Sequence, residues 1–457
     1  MTTGVFSLWF ETALLPQGWA DRVRIEIADG LIAAVSPGVD PAPADERRAT
    51  GLPGLCNVHS HAFQRGMAGL TEHRGAGHDD FWSWRELMYR FLDRLTPDDV
   101  QAISALAFAE MLESGFTRVG EFHYLHHDPD GRPYANLAEM AERIVAAAAE
   151  TGIGLTLLPV YYRQGGFGGA PAAPGQRRFL NDTDRFARMT DASRRAIAEL
   201  PDANLGVAPH SLRAVSPEDL RAILPLADGG PVHIHAAEQV KEVRDCLAWS
   251  GRRPVAWLLD EAGVDGRWCL IHATHLTAEE TARLAASGAV AGLCPITEAN
   301  LGDGVFPARA YLGHGGAFGV GTDSNVAIDA AQELRMLEYA QRLTERARNV
   351  LAEPDADSTG VRLFRAAVQG GAQALGQTRV GLRPGASADI VSLRSDEVLA
   401  ESPRRDARID GWVFADGRSA IDRVWRRGRQ VVEDGRHCGR ATLVAAYRQT
   451  LRRLLAT

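Results

Sequence analysis

The sequence predicts an α/β protein: a (β/α)8 TIM barrel carrying a small β-sandwich domain assembled from both chain ends. Three observations predict it. Between residues 53 and 377, short apolar runs alternate with longer amphipathic stretches, in the number and spacing of eight βα units. Runs such as Leu155-Thr156-Leu157-Leu158 and Val290-Ala291-Gly292-Leu293 carry no charge, as strands covered on both faces require. At both chain ends the pattern changes to strand and hairpin signals.

The N-terminal unit reads as strands over residues 5–10, 23–27 and 31–35, with Asp29-Gly30 as a hairpin turn. Pro41, Pro43 and Pro53 separate it from the first barrel strand. Barrel strands are expected at 55–59, 117–123, 153–161, 204–209, 232–235, 268–272, 289–294 and 317–321. Helices are expected at 98–114, 137–150, 184–200, 217–226, 239–249, 254–262 and after Thr277, then at 329–350 and 360–375. Ser216 before Pro217 reads as a helix cap. Residues 62–96 form an aromatic-rich excursion, and 163–176 a Gly/Pro/Ala-rich loop. Strands return at 388–393, 411–414 and 421–425, leading to Val431-Val432, and a helix closes the chain at 441–455. The expected domains are therefore 1–52 plus 378–440 (small β domain), 53–377 (barrel) and 441–457 (terminal helix).

Composition excludes several classes of function. Apolar content of 45% and charged content of 24% are ordinary for a globular protein. A net charge of −8 without a basic stripe argues against nucleic acid as a partner. No apolar run has membrane-spanning length, so no membrane partner is expected. The five cysteines are odd in number and lack CxxC spacing, which suits reduced thiols and a cytoplasmic location. Of the 50 Lys and Arg side chains only Lys241 is lysine, so 49 are arginine.

The chemistry centres on Gly54-Leu55-Cys56-Asn57-Val58-His59-Ser60-His61, where period-2 alternation puts His59 and His61 on one face of a strand end. Other candidates end other strands: Glu121 and His123, His210, His233, His235 and Glu238, His272 and His275, and Asp323. Polar residues at the C-terminal ends of barrel strands share one mouth. Each alone reads more readily as a hydrogen-bonded surface residue than as a ligand, and His73, His78, His126, His127, His314 and His437 are read that way. Three histidines and an acid at one mouth are the ligand types zinc takes.

The set His59-x-His61, His235 followed by Glu238, then His272, then Thr322-Asp323-Ser324 resembles the amidohydrolase superfamily in order and strand placement, nearest its mononuclear deaminases. The resemblance implies one divalent metal, zinc or alternatively iron, held by His59, His61, His235 and Asp323. It implies a metal-activated water, with Glu238, His272 and Asp323 in acid–base and electrophilic roles. Two-metal members use a carboxylated lysine, commonly at strand four. Strand four here ends in Ala208-Pro209-His210, and Lys241 lies beyond strand five, so one metal is expected.

Gln64, Arg85, Tyr124, His210 and Arg213 are the candidate substrate-binding residues, because arginines pair carboxylates bidentately. Among 49 arginines most are surface charges, and 81–95 also reads as an ordinary amphipathic helix. Within the superfamily the combination resembles the N-formimino-L-glutamate deiminases of histidine degradation, which release N-formyl-L-glutamate and ammonia. That resemblance implies a small dicarboxylate substrate and a homodimer. Two other readings stay open. A purine or S-adenosylhomocysteine-like aminohydrolase would line the pocket with stacking groups such as Trp82 and Trp84. A non-catalytic assembly barrel would have lost ligands, and none is missing.

Overall fold

The structure, a computed structural model, describes residues 6–73, 80–353, 358–394, 402 and 404–456. Val5 and His78 lie outside the described residues.

The chain starts with β1 (Phe6–Leu15), β2 (Gly18–Ala28), β3 (Leu31–Ser36) and β4 (Glu46–Pro53). Asp29 and Gly30 both take left-handed conformations (φ 51° and 81°), as a two-residue hairpin between twisted strands requires. β4 is absent from the sequence reading. Its charged start, Glu46-Arg47-Arg48, and its flanking prolines hide it, yet it joins the two chain ends. It runs parallel to β1 and antiparallel to a C-terminal strand, Ile390–Leu393, so strands from both ends make one eight-stranded sheet. This sheet has a core of its own, including Leu8, Phe10, Ile25, Ile390 and Trp425.

The barrel is built from β5 (Leu55–Ser60), β6 (Phe116–His123), β7 (Gly154–Tyr161), β8 (Asn204–Leu205), β9 (Ala208–Pro209), β10 (Val232–Ala236), β11 (Trp268–His272), β12 (Val290–Leu293) and β13 (Ala317–Val320). Neighbouring strands are parallel, and β13 returns to pair β5. The expected fourth strand is broken into β8 and β9, both paired with β7. A Cβ at the intervening Gly206 would meet the Pro231 carbonyl oxygen at 2.2 Å, so the chain passes too close for any side chain. The ring closes there through the bridges Val207–Val232 and Ser211–His235.

The helices alternate with the strands as expected. Ser216 caps Pro217–Ile223 and Thr277 caps Ala278–Ala286, each accepting a backbone N–H from the helix's first turn. After the barrel come β14 (Ile390–Leu393), β15 (Ile421–Arg426), β16 (Arg429–Glu433), β17 (Arg436–His437) and the helix Arg440–Leu455. The expected strand at 411–414 is instead helical, Ala407–Gly411 continuing into a wider turn over Trp412–Asp416. Trp412 and Val413 are both buried, and Trp412 packs on Phe364 at 5.6 Å. Among the described residues no helix is long and apolar enough to cross a membrane.

A buried ionic chain welds the sheet to the barrel floor. Arg426 on β15 pairs with Asp389 at 2.8 Å and Asp202 at 2.6 Å, and Asp202 also pairs with Arg118 on β6 at 2.7 Å. Burial alone would raise the Asp389 carboxyl, but Arg426, the Ser387 hydroxyl and the Arg427 N–H hold it below its ordinary value. Arg426→Met should therefore cost about 3–5 kcal/mol, because the partly buried Asp389 and Asp202 would both lose the guanidinium that pairs them. Urea unfolding measures the loss, and a change under about 1 kcal/mol would show the weld to be dispensable.

Candidate active site

The mouth is organised where β5 and β13 meet. Asn57 on β5 donates to the Thr322 hydroxyl at 2.7 Å and accepts the Thr322 N–H at 3.1 Å. The Thr322 hydroxyl donates to Asn325 Oδ1 at 2.6 Å. The Asn325 amide nitrogen in turn reaches Ser60 Oγ, the His61 carbonyl and the Asp323 carbonyl at 3.0–3.2 Å. The backbones interlock as well: Thr322 and Asp323 N–H donate to His59 O, and His61 N–H to Asp323 O. A Cβ at Gly321 would meet His59 backbone atoms at 2.7–2.8 Å, so glycine permits this approach.

The lock holds strained backbone. Asp323 (φ 42°) and Asn325 (φ 55°) are left-handed, as are Ala237, His272 and Ala273 at the ends of β10 and β11. Non-glycine residues adopt this conformation at a cost of order 1–3 kcal/mol each and keep it only where the surroundings fix it. Glu242 does so for the β10 turn, its two carboxylate oxygens accepting the N–H groups of Ala237 and Glu238.

These turns bring His59, His61, His235 and Asp323 together, with one donor atom from each lying within 4.8 Å of all the others. Asp323 Oδ1 stands 3.4 Å from His59 Nε2 and 3.3 Å from His61 Nε2. These distances exceed ordinary hydrogen bonds and match the separation of two donors around one tetrahedral zinc, roughly 3.3 Å. His61 Nδ1 donates to Phe122 O and His235 Nδ1 to His210 O, both at 3.0 Å, which leaves each Nε2 as a free lone pair. Neither ring nitrogen of His59 has a partner, although the ring is buried. Burial, and for His59 and His235 the neighbouring imidazoles, push His59, His61 and His235 below their ordinary value, so all three are neutral, the ligating form. The donor set thus fits a single divalent ion. Cys294 approaches His272 and Asp323, but burial and nearby carboxylates raise its thiol well above the usual range, which disfavours it as a ligand.

Glu238 and His272 flank the cluster. His272 Nε2 lies 3.8 Å from Glu238 and 3.7 Å from Asp323. Its Nδ1 meets Glu298 Oε1 at 3.2 Å. Burial alone would depress His272, but Glu238, Glu298 and Asp323 outweigh it and raise the imidazole to about 10. Burial raises Glu238 to about 7 against the opposing pull of His272 and Arg213, whose guanidinium is 3.7 Å away.

One cavity opens onto this centre. His61, His235, Glu238 and Asp323 line it, and so do all five expected substrate residues, Gln64, Arg85, Tyr124, His210 and Arg213. Arg85 stacks on Trp82 at 4.6 Å, and Arg213 and Lys241 approach the same ring at 5.8 and 5.6 Å. Lys241 itself is exposed and paired with Asp245, far from any bridging-ligand role.

Several strand-end candidates turn away. Phe122 is the β6 residue packed on the histidine rings, so Glu121 and His123 face the other side, with Glu121 accepting the Ala62 N–H. His233 shares a face of β10 with His235 but lies two residues farther from the mouth, where it bonds the Ala374 carbonyl at 2.7 Å, and His275 is placed beyond β11. His126, His127 and His437 are hydrogen-bonded as expected but buried rather than superficial, each held by a backbone carbonyl. The sequence reading missed Tyr89, Tyr162 and Phe179 in the cavity wall and Glu298 behind His272. An acid four residues past a strand-end cysteine was the available signal for Glu298.

Residues 50–431 match the amidohydrolase family. The chain belongs to that family. Residues 8–49 match the family described as formimidoylglutamate deiminase HutF, N-terminal domain. The formimidoylglutamate deiminase of Pseudomonas aeruginosa is 50% identical over 98% of this chain and 99% of its own. A crystal structure of an amidohydrolase from Brucella melitensis superposes with a TM-score of 0.96 at 55% identity, covering 99% of this chain and 100% of that one. A zinc-bound adenosine deaminase from Xanthomonas campestris shares the fold, with a TM-score of 0.82 at 23% identity and 99% of each chain covered.

If the amide of Asn325 holds the ligand-bearing turns, Asn325→Gly, which tolerates the left-handed backbone, should weaken zinc binding by the metal-stripped protein about 10–100-fold. Competition with a chromogenic chelator reads this. Wild-type affinity in the variant would show that the amide does not organise the site.

Proposed function

We propose that this chain hydrolyses the formimino group of N-formimino-L-glutamate to N-formyl-L-glutamate and ammonia. The observation that carries the reading is the pairing of Arg85 and Arg213, each with a buried and unpartnered Nε, with Glu238 and the donor cluster in one cavity. A dicarboxylate entering this mouth loses its hydration beside two acids, Glu238 and Asp323. Uncompensated burial of such charge is prohibitive, and the two guanidinium groups offset it. The half-identical deiminase points to the same chemistry. A neutral purine would bring no carboxylate to the unpartnered Nε atoms of Arg85 and Arg213, so the aminohydrolase reading is not favoured.

His59, His61, His235 and Asp323 would hold a divalent ion, zinc or alternatively iron, which when bound would supply Lewis acidity and lower the pKa of water from ~15.7 toward ~7. Glu238, poised at about 7, takes a proton from the attacking water and returns it to the leaving nitrogen. His272, fixed at Nδ1 by Glu298, presents Nε2 toward the reacting group and stabilises developing negative charge. Asp323 stands beside His272 and can share that proton. Water adds at the formimino carbon, the C–N bond breaks and ammonia leaves. Arg85, Arg213, Tyr124, Gln64 and His210 hold the carboxylates.

The same reading includes a homodimer, a cytoplasmic location consistent with five free cysteines, and the domain division 1–52 plus 378–440, 53–377 and 441–457, supported by the membership of the two sheets.

Glu238→Gln should retain metal yet lose roughly 10²–10⁴-fold in turnover, since the amide cannot carry the proton. Near-wild-type turnover would remove Glu238 from the mechanism. Arg213→Ala should lower kcat/KM for N-formimino-L-glutamate by roughly 30-fold to several thousand-fold, the equivalent of about 2–5 kcal/mol, with metal content unchanged. Normal rates in both Arg213→Ala and Arg85→Ala would refute the carboxylate pocket.

A further inference from the structure

The Gly/Pro-rich segment after β7 folds back so that Gln176, 1% exposed, sits behind Tyr162, 4% exposed. The backbone N–H of Ala173 donates to Gln176 Oε1 at 2.7 Å, which fixes the end of the amide that carries oxygen. Gln176 Nε2 therefore faces Tyr162 and donates to its phenolic oxygen at 2.5 Å. With its oxygen used as an acceptor, Tyr162 must place its own proton elsewhere.

No acceptor among the described residues lies within hydrogen-bond distance of the Tyr162 hydroxyl on the cavity side. The charged neighbours of Tyr162 there are Arg213 and Arg85, which only donate. Among the described residues nothing accepts the Tyr162 proton. Tyr162 lines the cavity, and its ring is pinned on His210 at 4.7 Å. Burial keeps the phenol protonated, hence a donor. A hydroxyl donor in one cavity with two guanidinium groups whose Nε atoms have no partner describes a seat for an anionic oxygen.

We propose that Tyr162 is a specificity residue whose hydroxyl donates a hydrogen bond to a substrate carboxylate, and that Gln176 is a positioning residue that turns this proton into the cavity. The inference rests on the dicarboxylate reading above. It gives the segment 163–176 a role: the loop exists to carry an amide behind the pocket wall.

The test compares kcat/KM for N-formimino-L-glutamate with kcat/KM for its two half-amides, in which one carboxylate or the other is a carboxamide. Tyr162→Phe is nearly isosteric. Losing one hydrogen bond to a charged group should narrow the preference for the diacid over one of the half-amides roughly 10- to 150-fold. Gln176→Met should narrow the same preference, mainly through KM. Its effect should largely vanish in the Tyr162→Phe background, because both changes act through one proton. Wild-type preferences in Tyr162→Phe overturn the proposal, and full additivity of the two changes overturns the role of Gln176. A wild-type protein that releases ammonia from none of the three compounds overturns the dicarboxylate reading itself.

Discussion

The interaction on which the site depends is the amide–hydroxyl lock between Asn57, Thr322 and Asn325. It joins the first and last barrel strands, and it fixes both the turn that presents His59 and His61 and the strained turn that presents Asp323. A donor set for one ion needs atoms placed within a few tenths of an ångström. Strand ends alone do not provide this. Here every atom of two side-chain amides except one donor is engaged in buried hydrogen bonds, with no room for an alternative turn. The cost of left-handed Asp323 and Asn325 is thereby absorbed by the interlocked backbones.

Charge is the second constraint. Glu238, Asp323 and Glu298 converge on one buried imidazole, and their combined field overcomes the burial that would otherwise deprotonate His272. The neighbouring histidines, with no comparable set of acids around them, go the other way and stay neutral. One mouth therefore separates its imidazoles into neutral rings and a proton-bearing one by environment alone. The arginines on the opposing loops balance the acids and leave the cavity rich in donors, which suits an anionic substrate better than a heterocycle.

Much of this was legible in the sequence because it rests on local periodicity. Eight apolar runs, six of them ended by histidines or acids, located the barrel and the mouth at which His59, His61, His235, Glu238, His272 and Asp323 converge. What depended on long-range packing was not legible. β4 begins with three charged residues and is made a strand only by its neighbours β1 and β14. The apolar run at 411–414 is too short to show its period, and burial of Trp412 against Phe364 decides for helix. Glu121 and His123 differ from the site residues in which strand face they occupy, which one-residue register sets, whereas His233 shares the face of His235 and is engaged by the Ala374 carbonyl. Asn57–Asn325 and Tyr162–Gln176 are side-chain contacts that leave no pattern along the chain.

The central claim is that the donor cluster and the two arginines act together on a dicarboxylate formimino compound. It is tested most directly by offering the zinc-loaded protein N-formimino-L-glutamate, adenosine, 8-oxoguanine and S-adenosylhomocysteine in parallel, following ammonia release and identifying the product by proton NMR. Ammonia from N-formimino-L-glutamate alone, with stoichiometric N-formyl-L-glutamate, is the result this account predicts. Ammonia from one of the purine compounds, with N-formimino-L-glutamate left intact, would contradict it.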